Sequence, residues 1–441
     1  MAVGRGLIAA GTVANGVLVV RCLEAVTITG PVALRRAADG LTEVQGWLSW
    51  QLWDNVTHGR SPLDASVFTD GTASLWSVVG NPGAASLLAP ISGVLSPGAA
   101  ALAGFGLLAT LNIVAGAHFG AVHRVPWLGA LAVAAVGAGV QLASGGFPQA
   151  LFAPGLVAAA ALARGQTRAA VGWTLVGALL APGPTAGLLI AVGGLPLAAL
   201  AAAGFFVAPF GSGAGPALVA GDLFWPGGGA ERALPLTTGL ALFGLWQARG
   251  WGRMVAPVAA VALLAGVVPV AVAGHQLVGP ATPNSASVAF SLALVLGAAL
   301  PLAATLARSR RMLVAVCLVV DLVGPVVVGG GRVLEPSSPV PPALLALASA
   351  PRRVEVLVVP DSVLAAGVGL IPSHRQTAAR APRLGSVPPL PVRPAEVRDH
   401  IGRSRFPVVL VQLDPDPAQA SSLASAFGPP LVYGPAMAVW Q

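Results

Sequence analysis

Four of the few ionised residues of this 441-residue chain stand together in "RRAADGLTE": Arg35, Arg36, Asp39 and Glu43. Only 9% of its residues are charged, so such a cluster on one connection between apolar runs calls for a reason. Arginine presents forked donors to phosphate and carboxylate, and carboxylates take up protons or hold cations. Asp39 and Glu43 are four residues apart, one turn and one face if the stretch is helical. A plainer role is open too: an aspartate just before a helical run starting near Leu41 is a common N-cap, on a solvated connector.

Other chemistry-bearing residues are scattered. Asp54, His58, Asp64 and Asp70 are of types that bind a divalent cation, but their spacing matches no known metal geometry, and "THGRSPLD" reads as a turn-rich loop. A divalent cation is thus allowed without a defined metal site. His374, Arg375 and Gln376 in "PSHRQT" read as an exposed loop. Arg21 and Glu24, and Asp321, fall inside apolar runs, where charge is costly. The first two line a polar pathway or satisfy each other; Asp321 reads as a helix-packing hydrogen bond. Cys22 and Cys317 also lie in apolar runs, without a CxxC spacing or a neighbouring His. "SGAGPALVAG" lacks the Lys and Ser/Thr of a phosphate loop, and "GPTAG" and "GSGAG" lack the arrangement of a nucleophile elbow.

The elements that must position these residues are mostly apolar. With 55% hydrophobic residues and a mean hydropathy of +0.80, the composition is that of a polytopic α-helical membrane protein. A bilayer core of about 30 Å takes roughly 20 apolar residues per helix. Spans are expected near 6–28, 98–121, 127–144, 150–163, 169–182, 184–195, 197–210, 234–248, 254–273, 287–307 and 312–329. The N-terminal run passes Arg21 and Glu24 without a small-residue cleavage site, so it is expected to be a retained first span rather than a signal peptide.

All the basic residues are arginine, and the net charge is +8. Arg5, Arg124, Arg164 with Arg168, Arg249 with Arg253, and Arg308, Arg310 and Arg311 occupy alternate connections, which places those connections and the N-terminus in the cytoplasm. The sequence pI is near 11.3, yet these arginines form no basic patch with interleaved aromatics, so no nucleic-acid partner is expected. An odd number of spans puts the loop 31–97 and the chain beyond residue 330 outside. In that loop Trp47, Trp50 and Trp53 form a stripe expected on an amphipathic helix in the outer interface, and "NPGAASLLAPISGVLSPG" reads as partly re-entrant. Beyond residue 330, "VEVLVVP", "FPVVLVQL" and "LVYGPAMAVW" are β-branched runs alternating with the helical stretches "PAEVRDHIGRS" and "DPAQASSLASAFG". Two domains follow: 1–330, transmembrane, and 331–441, a small extracytoplasmic α/β domain.

Three stretches carry a resemblance: "ADGLTEVQGWLSWQLWDNVTHGRSPLDASVFTDGTASLW", "GGFPQALFAPGLVAAAALARG" and "LPLTTGLALFGLWQARGWGR". With the tail "RRVEVLVVPDSVLAAGVGLIPSHRQTAARAPRLGS" and "VRDHIGRSRFPVVLVQL", they resemble bacterial membrane proteins of the glycosyltransferase C superfamily, in the branch with a short periplasmic α/β tail. The resemblance implies about 11 transmembrane helices in a GT-C-like arrangement in the cytoplasmic membrane. It also implies a polyprenyl-phosphate sugar donor and transfer at the outer face. The family's base is a carboxylate on the first outer loop; Asp39 stands at that position, with Glu43 as alternate base or metal ligand and Arg35 and Arg36 near the donor phosphate.

One departure is plain: the short turn "SGGFPQ" carries no acid where many relatives place a second one. A catalytically inactive scaffold or subunit, held by Gly- and Ala-rich helices to other membrane chains, is therefore the alternative. A transporter or lipid flippase is disfavoured by few intramembrane charges and no inverted repeat.

Overall fold

The computed structural model describes residues 41–64, 82–94, 97–134, 151–204, 270–272, 275–278, 311–320, 354–359, 377–379, 394–403, 407–413, 417–433 and 437–440. The chain divides into two compact units, Met1–Ala25 with Ala103–Leu334 and Val26–Leu102 with Glu335–Gln441.

The second of these units contains α1 (Leu41–Thr57) and α2 (Pro82–Ser92), which pack on each other. Leu48, Gln51, Leu52 and Asn55 are buried at i, i+3, i+4 and i+7 of α1, and Ala85, Leu88, Ala89 and Ser92 repeat that spacing on α2. Trp53 and Gly93 are in close approach: a Cβ on Gly93 would overlap the indole ring. At 11 residues α2 rises about 16 Å, well short of a bilayer core.

The other unit is built from α3 (Pro97–Val122, its first turns excepted), α4 (Pro126–Val133), α5 (Ala153–Ala163), α6 (Thr167–Leu180), α7 (Pro182–Ala191) and α8 (Leu195–Ala202), with residues 311–320 also helical. Proline sits in the first turn of α4, α5 and α8, where its missing N–H costs nothing and its φ suits the helix. Among the described residues no helix is long and apolar enough to cross a membrane. The longest described, α3, has 26 residues and breaks its apolar run with five glycines, Asn112 and His118.

Close backbone approach organises this unit. Gly116 and Gly120 of α3 face Gly129 of α4, and a Cβ added at Gly129 would reach the Gly116 carbonyl and come within 2.8 Å of the Gly120 Cα. Around that contact Phe119, Leu128, Phe152, Leu156 and the alanine run Ala158, Ala159 and Ala160 form the core. Asn112, buried on α3, accepts hydrogen bonds at Oδ1 from the N–H groups of Phe152 (2.8 Å) and Ala153 (3.0 Å). It thereby satisfies amides at the start of α5 that have no partner within their own helix. Arg164, just past α5, donates from Nη1 to His118 Nε2 (2.8 Å) and from Nη2 to the His118 carbonyl (3.3 Å), tying the other end of α5 to α3.

A short antiparallel pair, β1 (Val270–Val272) and β2 (His275–Val278), lies where the sequence suggested the end of a span at residue 273. β-branched Val270 and Val272 suit a strand better than a last helical turn.

The tail forms a five-stranded sheet of order β4-β3-β5-β7-β6. β3 (Val354–Val359) runs parallel to β4 (Thr377–Ala379) and β5 (Val408–Leu413), β7 (Met437–Trp440) runs antiparallel to β5, and β6 (Val432–Tyr433) closes a hairpin with β7. α9 (Pro394–Arg403) lies between β4 and β5 in sequence, as a parallel crossover requires, and α10 (Pro417–Phe427) follows β5. Val397, Leu410, Leu423, Ala438 and Trp440 share one core, and Trp440 Nε1 donates to the Gly428 carbonyl at 3.0 Å.

Asn112→Ala is expected to leave the buried Phe152 N–H and the half-buried Ala153 N–H without their acceptor and to cost about 2 kcal/mol. Thermal unfolding should show a midpoint several degrees lower; an unchanged midpoint would remove Asn112 from the fold's supports.

Candidate functional site

The candidate residues from the sequence divide by place. Arg35, Arg36 and Asp39 lie outside the described residues, as do Arg21, Glu24, Asp70, Asp321 and the "SHRQ" stretch. Glu43 is the third residue of α1, which begins at Leu41. Cys317 is half-buried in the helical stretch 311–320.

What the structure assembles is the other end of α1. Asp54, buried, ion-pairs with Arg60 through its Oδ2, and its Oδ1 lies 3.2 Å from His58 Nδ1. His58 Nδ1 is also 2.8 Å from the Asp54 main-chain carbonyl. Both of these neighbours can only accept. The nearby Thr57 hydroxyl, 3.5 Å from Nδ1, has main-chain carbonyls of Trp53 and Asp54 at 3.1 Å for its own proton. The proton of a neutral His58 therefore sits on Nδ1, and Nε2 carries the lone pair.

Why the chain turns here is local. Gly59 has φ +67°, its N–H bonds the Val56 carbonyl, and the Arg60 N–H bonds the Asn55 carbonyl at 2.8 Å. That pair of bonds is a Schellman termination, which a left-handed glycine closes without a Cβ penalty. Asn55 then fixes the next residues: its Nδ2 donates to the carbonyls of Pro62 (3.0 Å) and Asp64 (2.8 Å), while its Oδ1 accepts from Gln51 Nε2 (2.9 Å). Gln51 Oε1 and Arg60 Nε are buried without a hydrogen-bond partner.

Of the four residues considered for a cation, Asp54 and His58 are in contact, and Asp64 contributes its main-chain carbonyl to Asn55. Among the described residues no three His, Cys, Asp or Glu side chains are grouped to hold a metal ion. The sequence reading passed over Arg60 and Asn55. Arg60 stands six residues beyond Asp54, past the end of the helix, so no helical spacing marks that pair, and nothing in sequence marks a buried Asn that reaches forward to a loop.

A second histidine differs in kind. His123, just past α3, stacks at a tilt on Phe119 with centroids 5.6 Å apart, and its Nε2 is buried without a partner. Burial holds its pKa below the ordinary imidazole value. No family model, curated protein or solved structure matches this chain.

Because His123 binds its proton less readily folded than unfolded, its contribution to stability is complete above about pH 6.5 and is lost as pH falls below that value. Thermal midpoints measured between pH 7.5 and 5.5 should fall with acid in the wild type and fall less in His123→Phe; parallel curves would exclude His123 as the cause. Gly59→Ala meets no atom within 4 Å, so only its φ resists. That change is expected to cost about 1 kcal/mol and to speed hydrogen exchange at the Arg60 amide; unaltered exchange would show that the turn does not depend on glycine.

Proposed function

We propose that the chain is an integral membrane, GT-C-like glycosyltransferase. It takes a sugar from a polyprenyl-phosphate donor and delivers it to an acceptor at the outer face of the cytoplasmic membrane. The observation that carries the membrane part is the character of the exposed helix faces. Leu107, Leu111 and Val114 on α3, Trp173, Val176 and Leu179 on α6, and Met312, Leu313 and Val316 in the stretch 311–320 are all exposed, Leu313 to 61%. Polar Asn112, Thr174 and Thr185 are buried instead. Water-soluble domains rarely expose apolar stripes on several helices, whereas a lipid surround favours them.

The arrangement of the chain supports the outer-face part. The loop 31–97 and the tail beyond 334, which the alternation of arginines puts on the same side, fall within one compact unit, residues 26–102 with 335–441. Residues 31–97 would then be the outer loop. On this reading Asp39 takes the acceptor's hydroxyl proton, Glu43 is the alternate base or a cation ligand, and Arg35 and Arg36 meet the donor phosphate. The missing acid in "SGGFPQ" favours a second reading, an inactive scaffold of the same fold.

Native mass spectrometry of the chain in mild detergent is expected to find retained polyprenyl phosphate, and Asp39→Asn to lower sugar transfer by at least about 100-fold with expression intact. Protein partners without that lipid would favour the scaffold, and full activity in Asp39→Asn would take Asp39 out of the mechanism.

A further inference from the structure

In the unit that contains α3, α5 and α6, arginines stand without acids. Arg124 lies just past α3, Arg164 just past α5, and Arg168 is the second residue of α6; all are exposed. No aspartate or glutamate occurs in the sequence between Asp70 and Asp222, and among the described residues none of these arginines makes an ion pair. Arg164 is nevertheless held in place, by the bonds from its Nη1 to His118 Nε2 and from its Nη2 to the His118 carbonyl. An arginine can only donate, so the imidazole accepts with its lone pair and is neutral in this contact. A carboxylate in that position would cancel the guanidinium charge; an imidazole and a carbonyl orient it and leave the charge uncancelled. The Nε–H and the second N–H of each terminal nitrogen remain for a ligand. His118 also ends an exposed apolar stripe, with Leu107, Leu111 and Val114 at i, i+4 and i+7 and the histidine itself at i+11. From Leu107 to His118 the helix rises about 16 Å, close to the roughly 15 Å that one leaflet of a bilayer's hydrocarbon occupies.

We propose that Arg164, oriented by His118, binds the phosphate of an anionic phospholipid whose acyl chains lie along the α3 stripe. An oriented guanidinium matches two phosphate oxygens, and the apolar residues that lead away from it match the chains. A water-soluble anion would satisfy the arginine but leave leucine and valine beside it uncovered. A zwitterionic lipid brings its own cation to its phosphate and gains less from a second one. Arg124 and Arg168, on connections at the same ends of α3 and α5, add to the field that attracts an anionic headgroup. The inference rests on the reading of the chain as an integral membrane protein and not on its chemistry. In that reading these connections are cytoplasmic, on the face opposite the sugar transfer.

The test is native mass spectrometry of the full chain in a neutral detergent, supplied with equal amounts of phosphatidylglycerol and phosphatidylcholine. The wild type should retain phosphatidylglycerol about tenfold more strongly, the ratio that one charge-assisted hydrogen bond provides. Arg164→Gln, whose amide is still a donor, should lose that preference. His118→Leu leaves every arginine in place and extends the apolar stripe, yet it should weaken the preference too, because the guanidinium is no longer oriented. No preference in the wild type would overturn the proposal whatever the variants do. An undiminished preference in His118→Leu would reduce the site to unoriented charge, and loss of the lipid to millimolar inorganic phosphate would make it a free-anion site; either overturns it. Release of the chain from membranes by alkaline carbonate would bring down the membrane reading and this site with it. A chain that stays in the membrane and carries polyprenyl phosphate, but does not prefer phosphatidylglycerol, would bring down this site alone.

Discussion

Where a helix is apolar on every side, burial of side chains no longer decides which face turns inward. The helices α3, α4 and α5 meet that constraint by two other means. Glycines at 116, 120 and 129 bring two backbones closer than any side chain would permit, so dispersion contacts replace hydrophobic sorting. Asn112 and Arg164 then hold the two ends of α5 to α3 by hydrogen bonds, one at its first amides and one at the residue that follows it. These bonds have direction, and direction is what an alanine-rich contact lacks. The core of Ala158, Ala159 and Ala160 would pack nearly as well after a small slide, whereas the Asn112 acceptor is met only in one register.

The unit that contains α1 relies on sorting of the familiar kind. Leu48 and Leu52 face α2, the two polar members of the same stripe, Gln51 and Asn55, bond each other, and the helix is closed by a left-handed glycine. The consequence for function is rigidity where the chain leaves the helix. Asn55 spans seven and nine residues to reach the carbonyls it caps, so the segment carrying His58 and Arg60 is held at both ends.

Local patterns were readable wherever a period or a special residue carried them. The β-branched runs of the tail are strands, the Pro-initiated stretches between them are helices, and α1 begins at Leu41, where a helical run was expected to start. The strand pair β1 and β2 was hidden because an apolar Val-Ala-Val run has the same composition in a helix end as in a strand. The "RRAADGLTE" cluster lies largely outside the described residues, with Glu43 alone placed on α1.

What the sequence by itself determined is the apolar character of its helices, the alternation of its arginines, and the identity of most short elements, since composition and period act over a few residues. Only the tertiary structure decided that Asn112 caps a helix some 40 residues away, that Gly129 meets Gly116 and Gly120, and that Asp54 and Arg60 grip one another beside His58. Such contacts depend on where the chain returns after a turn. A buried polar side chain finds its partner through geometry, and no local pattern encodes that distance.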